Sequence, residues 1–376
     1  VNKQFSYNDI AFLSVPARAL KPKKLFLGAF FLLIALLLYD VFTYLAFLAE
    51  DKSFCDVWAA HGFFPLKLFC FDSFLATFLY YYLGFLFTGL ALMTGFTAIA
   101  IIDIEDLRGN PFMSFKQALK FSLGRFKQNL LAILTIAIFI LFIILLLFLV
   151  GLITRIPVIG EFIYSLFFFF PSFVVSILVM IVIFTGSLSL LILPAATAAD
   201  RLGETFNSLL ELFLTVTRQP VRWILLTAYS LVTAKVCSFI FAYFSYRAVQ
   251  FMAYASELGG GAKIDNIIAS GMAHLPWNSP LVTFADNIFP GLCFGFDLSC
   301  LTTGNPGNPA GYLMAVMLFL IFLLIWGYII SVIATGQAYA IAIIKARRDG
   351  YKISDEKPLF FEEEYINPPI DDTESK

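Results

Sequence analysis

Two ionisable residues stand inside apolar stretches where a charge is expensive. Asp40 interrupts "LLIALLLYDVFTYLAF" and Lys235 interrupts "LLTAYSLVTAKVCSFIFAYF". Counted from apolar starts at 25 and 223, both lie roughly 18–23 Å from the same end of their segments at 1.5 Å per residue. Opposite signs at similar depth have two readings: a buried ion pair that fixes which helices touch, or a polar path that exchanges protons or ions. Transport sites also tend to break their helices, which favours the pair.

Other reactive groups are sparse. The acidic run Asp103, Glu105 and Asp106 ends a second apolar stretch. It could hold a divalent cation beside a phosphate, but a solvated helix end is the simpler expectation. The two histidines, His61 and His274, both fall between apolar stretches, so no spanning helix offers an imidazole to a haem or metal. Ser270 and His274 are four residues apart without a third group to complete a hydrolytic set. No phosphate-binding Gly-rich loop, zinc-protease helix or nucleophile elbow is present. The sequence therefore nominates no catalytic, cofactor or metal site.

What positions these residues is a membrane. Of the 376 residues 60% are hydrophobic and 14% charged, with 45 Phe, a balance outside that of water-soluble domains. Six stretches, about 25–49, 73–102, 130–153, 172–196, 223–247 and 312–344, reach the roughly 20 apolar residues that cross a bilayer core. They are apolar all round rather than alternating, which predicts an all-α polytopic protein and not a barrel. Of the 25 Lys and Arg, 19 fall in 1–24, 103–129, 198–222 and 344–376. That bias places both termini in the cytoplasm. Cys55 and Cys70 then share one outer loop, and Cys293 and Cys300 share the larger loop 248–311, so two disulfides or four free thiols are open alternatives.

A phrase recurs at the inner ends of the returning helices. "TGFTAIAIIDIEDLRG" starts at Thr94 and "TGQAYAIAIIKARRDG" at Thr335, and Thr185-Gly186 supplies a third Thr-Gly. Short stretches then precede the next helix: Ser114 with Gln117 forms a capping box, and Thr205 offers a second hydroxyl cap. Phe206, Leu209, Leu210, Phe213 and Leu214 form an apolar stripe, as do Ile10, Leu13, Ala17 and Leu20 near the start. Three helical hairpins, each preceded by an amphipathic interfacial helix, are therefore expected over 5–110, 114–203 and 205–350 of one transmembrane domain 1–350. Gly95, Gly186, Gly336, Ala338 and Ala342 are assigned to close helix packing.

At "LPAATAADRLGETFNSLLELFLTVTRQPVRWILL", residues 193–226, the chain resembles a class of bacterial membrane proteins that includes YciC-like proteins and the membrane domain fused to some glycerophosphodiester phosphodiesterases. The resemblance implies the bacterial cytoplasmic membrane and this architecture, and it carries no catalytic residues. The acidic tail 351–376 reads as a solvated end, with Leu359, Phe360 and Phe361 apolar enough to suggest docking on a cytoplasmic partner or on the basic interfacial helices. With no catalytic set, cofactor ligands or nucleic-acid signature, the expectation is a non-enzymatic accessory or assembly subunit of a membrane complex, or a membrane-organising factor. The alternative is a small-solute or lipid transporter with a polar path near Asp40 and Lys235.

Overall fold

The computed structural model describes residues 7, 9–67, 71–189, 191–275, 279–289 and 307–360. Helices dominate and no strand occurs among them. Apolar runs set the helices, and the local chemistry at their ends sets the boundaries. In chain order they are α1 (Val15–Ala19), α2 (Pro22–Leu48), α3 (Phe54–His61), α4 (Phe74–Thr77), α5 (Phe85–Leu107), α6 (Phe115–Gly124), α7 (Phe126–Gly151), α8 (Ile159–Ile163) and α9 (Phe169–Ser189). There follow α10 (Leu193–Ala199), α11 (Thr205–Arg218), α12 (Pro220–Gly260), α13 (Ala262–Ala273), α14 (Pro280–Ile288) and α15 (Gly311–Asp349). A π-helical turn, Phe78–Gly84, joins α4 to α5.

Proline opens α2, α10, α12 and α14 within the first two positions, where its missing N–H costs nothing. Ser114 and Gln117 close a reciprocal capping box on α6. Thr205 does not cap α11: the cap position is Glu204, and Thr205 is the first helical residue. Gly350, in the left-handed region at φ 68°, ends α15. Gly259 and Gly260 do not stop α12, which runs on to the positive-φ Gly261. The stretch 248–311 is therefore not one irregular loop, since α12 continues into it and α13 and α14 follow.

Six helical segments are long and apolar enough to cross a membrane: Pro22–Leu48, Phe74–Leu107, Phe115–Arg155, Ile159–Phe184, Pro220–Gly260 and Gly311–Asp349. Helix α15 is the centre of the packing and lies against α2, α5, α10, α12 and α13. Over half of the most apolar stretch, 56%, is buried in the segments containing α5 and α15, against 0% in Phe115–Arg155 and 6% in Ile159–Phe184. One bundle thus carries the core, and the α7 and α9 pair stands at its edge.

Small residues let the core helices approach. A Cβ on Gly28 of α2 would fall 2.5 Å from the Gly327 carbonyl oxygen of α15, and one on Gly327 would fall 2.7 Å from the Ala29 nitrogen. These helices cross backbone to backbone. Gly95 lies on Phe31, whose Cβ would be 2.6 Å from an added methyl, and Gly336 lies on Ser230 of α12. Ala338 and Ala342 are fully buried, while Gly186 has only an ordinary contact with Ile136.

At the end away from the chain termini, Glu50 gathers the loop that follows α2. Its carboxylate accepts the Asp72 N–H at 2.9 Å and Lys67 Nζ at 3.2 Å, with Lys52 Nζ at 3.3 Å. Burial opposes its ionisation most strongly, yet the Asp72 donor and the two ammonium groups together outweigh it and hold the carboxyl below its ordinary 4.5.

Two outcomes follow from this packing. Gly28→Leu should destabilise the protein by about 1–3 kcal/mol, the usual cost of overpacking, measured as thermal unfolding in mild detergent. Because the folded Glu50 pKa is depressed, its contribution is complete above the unfolded value and is lost as pH falls through the folded one. Glu50→Gln should therefore lower the melting temperature at neutral pH and shrink the loss that the parent shows as pH falls through and below the ordinary carboxyl range; equal acid profiles for the two proteins would refute this.

Candidate functional site: a buried ionic cluster

Where the N-terminal end of α2 meets the C-terminal ends of α5 and α15, charged side chains are taken out of water. Lys24 sits in the first turn of α2, and Asp103 near the end of α5; both side chains have 0% exposure, and they pair at 2.5 Å. Lys24 also donates to Thr335 Oγ1 at 3.2 Å and to the Arg18 carbonyl at 3.0 Å. All three ammonium protons are thereby used. Asp103 is less complete, because its Oδ2 is buried without a hydrogen-bond partner.

Around this pair the cluster widens. Arg18 donates to the Tyr339 hydroxyl at 2.8 Å and Lys21 to Asp106 at 3.0 Å, while Ser331 donates to the Ala19 carbonyl at 2.7 Å. On the other side of α5, buried Arg108 pairs with Glu105 at 3.0 Å and with Glu356 at 2.5 Å, and donates to the Ala199 carbonyl. Glu105 accepts the Leu359 N–H, and Asn110 donates to the Phe360 carbonyl. Farther into the bundle, Asn129 of α7 donates to Thr97 and accepts from Thr197 of α10. Gln128 donates to Asp200 and Ser208.

The acidic run is thus not a solvated helix end. Asp103 and Glu105 are fully buried, and only Asp106 keeps partial exposure, because Arg18, Lys21 and Lys24 from the entry to α2, together with Arg108 just past α5, converge on the run. Residues 353–360 are likewise not a solvated tail: Glu356 is drawn into the Arg108 site, and Phe360 meets the Phe121 ring edge-on. Phe361 and residues 362–376 lie outside the described residues.

Asp40 and Lys235 are not brought together. Asp40 accepts the N–H of Phe64 at 3.0 Å, bracing a residue whose φ is 58°. Lys235 is exposed on α12, and α15 lies between α2 and α12. The ion pair expected from depth and sign alone is replaced by one between Lys24 and Asp103, whose helices do touch. The available signal was a cation at the entry of the first apolar stretch and an anion at the exit of the second, which a hairpin places at one end.

Ser270 donates its hydroxyl to the Asn308 carbonyl, and His274 Nδ1 faces the Ser270 carbonyl rather than its hydroxyl, so the two form no dyad. Cys55 is a free, exposed thiol. Cys70, Cys293 and Cys300 lie outside the described residues. Among the described residues no three His, Cys, Asp or Glu side chains converge to hold a metal ion. The cluster ties α2, α5, α15 and residues 353–360 to one another. No protein family, curated protein or solved structure matches the chain.

Removing one partner of a buried pair strands the other charge, at about 3–5 kcal/mol. Lys24→Met should therefore lower detergent stability by that order, and Lys24→Met with Asp103→Leu should recover most of it. Thermal unfolding of the three proteins checks this, and a double variant no better than the single one would count against the pairing.

Proposed function

We propose that this chain is a non-enzymatic membrane subunit that assembles with, or organises, a partner inside the bilayer. The observation that carries the reading is Lys235. It lies in a spanning helix, on a face shared with Leu231, Val232, Val236 and Phe239, all of them exposed. Among the described residues no carboxylate pairs with it. A cation on a lipid-facing helix is costly, and a transmembrane helix bearing an Asp or Glu would neutralise it while covering the apolar face.

The finer architecture belongs to the same reading. The six spans form three hairpins in a bacterial cytoplasmic membrane with both termini in the cytoplasm, and a short amphipathic helix at the interface precedes each. In support, Phe206, Leu210 and Phe213 of α11 point away from the protein while Leu209, Leu212 and Val216 are buried. Leu13 and Leu20 before α2, and Phe115 and Leu123 of α6, are exposed in the same manner beside Lys and Arg. The alternative, a small-solute or lipid transporter, has in its favour the unpartnered Asp103 Oδ2; against it, Asp40 and Lys235 share no path.

Purification of the full chain from its own membranes in mild detergent tests the proposal. A stoichiometric membrane partner should co-purify with the parent and with Lys235→Arg. With Lys235→Leu it should fall at least about tenfold, as expected for a buried charge pair worth more than 1.4 kcal/mol, while the melting temperature of the isolated protein stays unchanged. A parent that purifies alone, or a partner indifferent to Lys235→Leu, overturns it.

A further inference from the structure

Where α2 begins and α5 ends, the basic residues divide into two sets. Arg18, Lys21, Lys24 and Arg108 each meet a carboxylate of the ionic cluster. Lys23, Lys116, Lys120 and Lys127 are exposed, and among the described residues none of them is paired with a carboxylate. Lys23 donates instead to the Met113 carbonyl at 3.1 Å, which holds it beside the start of α6.

The sequence accounts for this surplus of charge. Between Asp106 and Glu161 the chain has no Asp or Glu, so α6 and the first turns of α7 have no acid of their own. Helix α11, which precedes α12 as α6 precedes α7, differs: Glu204 stands at its cap position and Glu211 pairs with Arg348. On α6, Lys116 and Lys120 are four residues apart, a spacing at which like charges repel. An anion from outside the protein relieves that repulsion.

Position says which anion. On α2, Phe26 and Phe30 are exposed three and seven residues after Lys23; on α7, Leu131, Leu134 and Ile138 are exposed four, seven and eleven residues after Lys127. These spacings put each lysine on the same helix face as the apolar residues, about 4–6 Å before the exposed apolar surface begins. Lys116, Lys120 and Leu123 share the exposed face of α6 at matching intervals. The lysines thus line the edge of the apolar band, where their stems can lie along hydrocarbon while the ammonium groups reach the headgroup phosphates. Clusters of about four or more Lys and Arg at the cytoplasmic end of a span attract anionic lipids.

We infer that α6, with the first turns of α2 and α7, is a binding surface for anionic phospholipids of the adjoining leaflet. Their phosphates meet the four lysines, and their acyl chains lie along Phe26 and Leu131. This surface depends on the interfacial seat of α6 proposed above and lies on other helices than Lys235.

In native mass spectra the full chain in mild detergent should bind dioleoyl phosphatidylglycerol in preference to dioleoyl phosphatidylcholine, which has the same acyl chains. The preference should shrink as salt is raised. Each Lys→Gln replacement should lower the affinity for phosphatidylglycerol roughly fivefold, and Lys116→Gln, Lys120→Gln and Lys127→Gln together about a hundredfold. The melting temperature and the affinity for phosphatidylcholine should stay unchanged, and the three corresponding Arg replacements should keep the preference. Leu123→Trp in phosphatidylcholine vesicles doped with a brominated lipid reads the seat of α6 separately, and the added indole should be quenched. Quenching without a phosphatidylglycerol preference would overturn the lipid assignment and leave the interfacial helix standing; no quenching would remove both. Equal affinity in the triple Gln variant would also overturn it. So would a preference that emerges only when residues 361–376 are deleted, which would give the lysines to Glu362, Glu363 and Glu364.

Discussion

Lys24 and Asp103 form the contact on which the arrangement of this bundle rests. An ammonium and a carboxylate without solvent exposure are tolerable only together, so the N-terminal turn of α2 and the C-terminal turn of α5 have one acceptable register. Thr335 brings α15 into the same constraint, and the Arg18 carbonyl brings in the segment before α2. Apolar packing alone would leave these helices free to slide, because lipid tails solvate Leu and Ile as well as a neighbouring helix does. Fixed charges supply the register that apolar contact lacks.

The second half of the cluster extends the same logic to the chain's end. Arg108 draws Glu356 beneath α10, which ties residues 353–360 to the helix that enters the core earliest after α2. The Thr97–Asn129–Thr197 chain then joins α5, α7 and α10 through three neutral side chains. By contrast, α7 and α9 beyond that point bury almost nothing against the bundle. Burial is therefore deepest around the clustered polar groups and least along α7 and α9.

What the sequence made legible follows from local physics. Six spans follow from apolar length, the capping box from Ser114 and Gln117, and the close approaches at Gly95 and Gly336 from small residues at helical spacing. Pairing of charges was not legible, because it depends on which helices adjoin: Asp40 and Lys235 are opposite in sign and similar in depth, yet α15 separates their helices. The acidic run misled for a related reason. Carboxylates at a helix end look solvated until the segments that cover them, Arg18 to Lys24 and Glu356 to Phe360, are placed. Composition likewise hid the length of α12, whose exposed outer turns contain Arg247 and Gly259 and carry less apolar signal than its start.

The backbone contact between Gly28 and Gly327 has a mechanical side. Helix α15 has 39 residues, about 58 Å of continuous rod, and Gly327 lies 16 residues from its loop end, about 24 Å away. No side chain of either glycine fills the crossing, so the two backbones touch there within a long line of contact. The ionic cluster adjoins that crossing, with Lys24 one turn from Gly28 and Thr335 two turns from Gly327, so both hold α15 on the same side of its outer half. A tilt of about five degrees there would carry the far tip of α15, and α13 packed against it, about 2 Å sideways over the rest of the bundle.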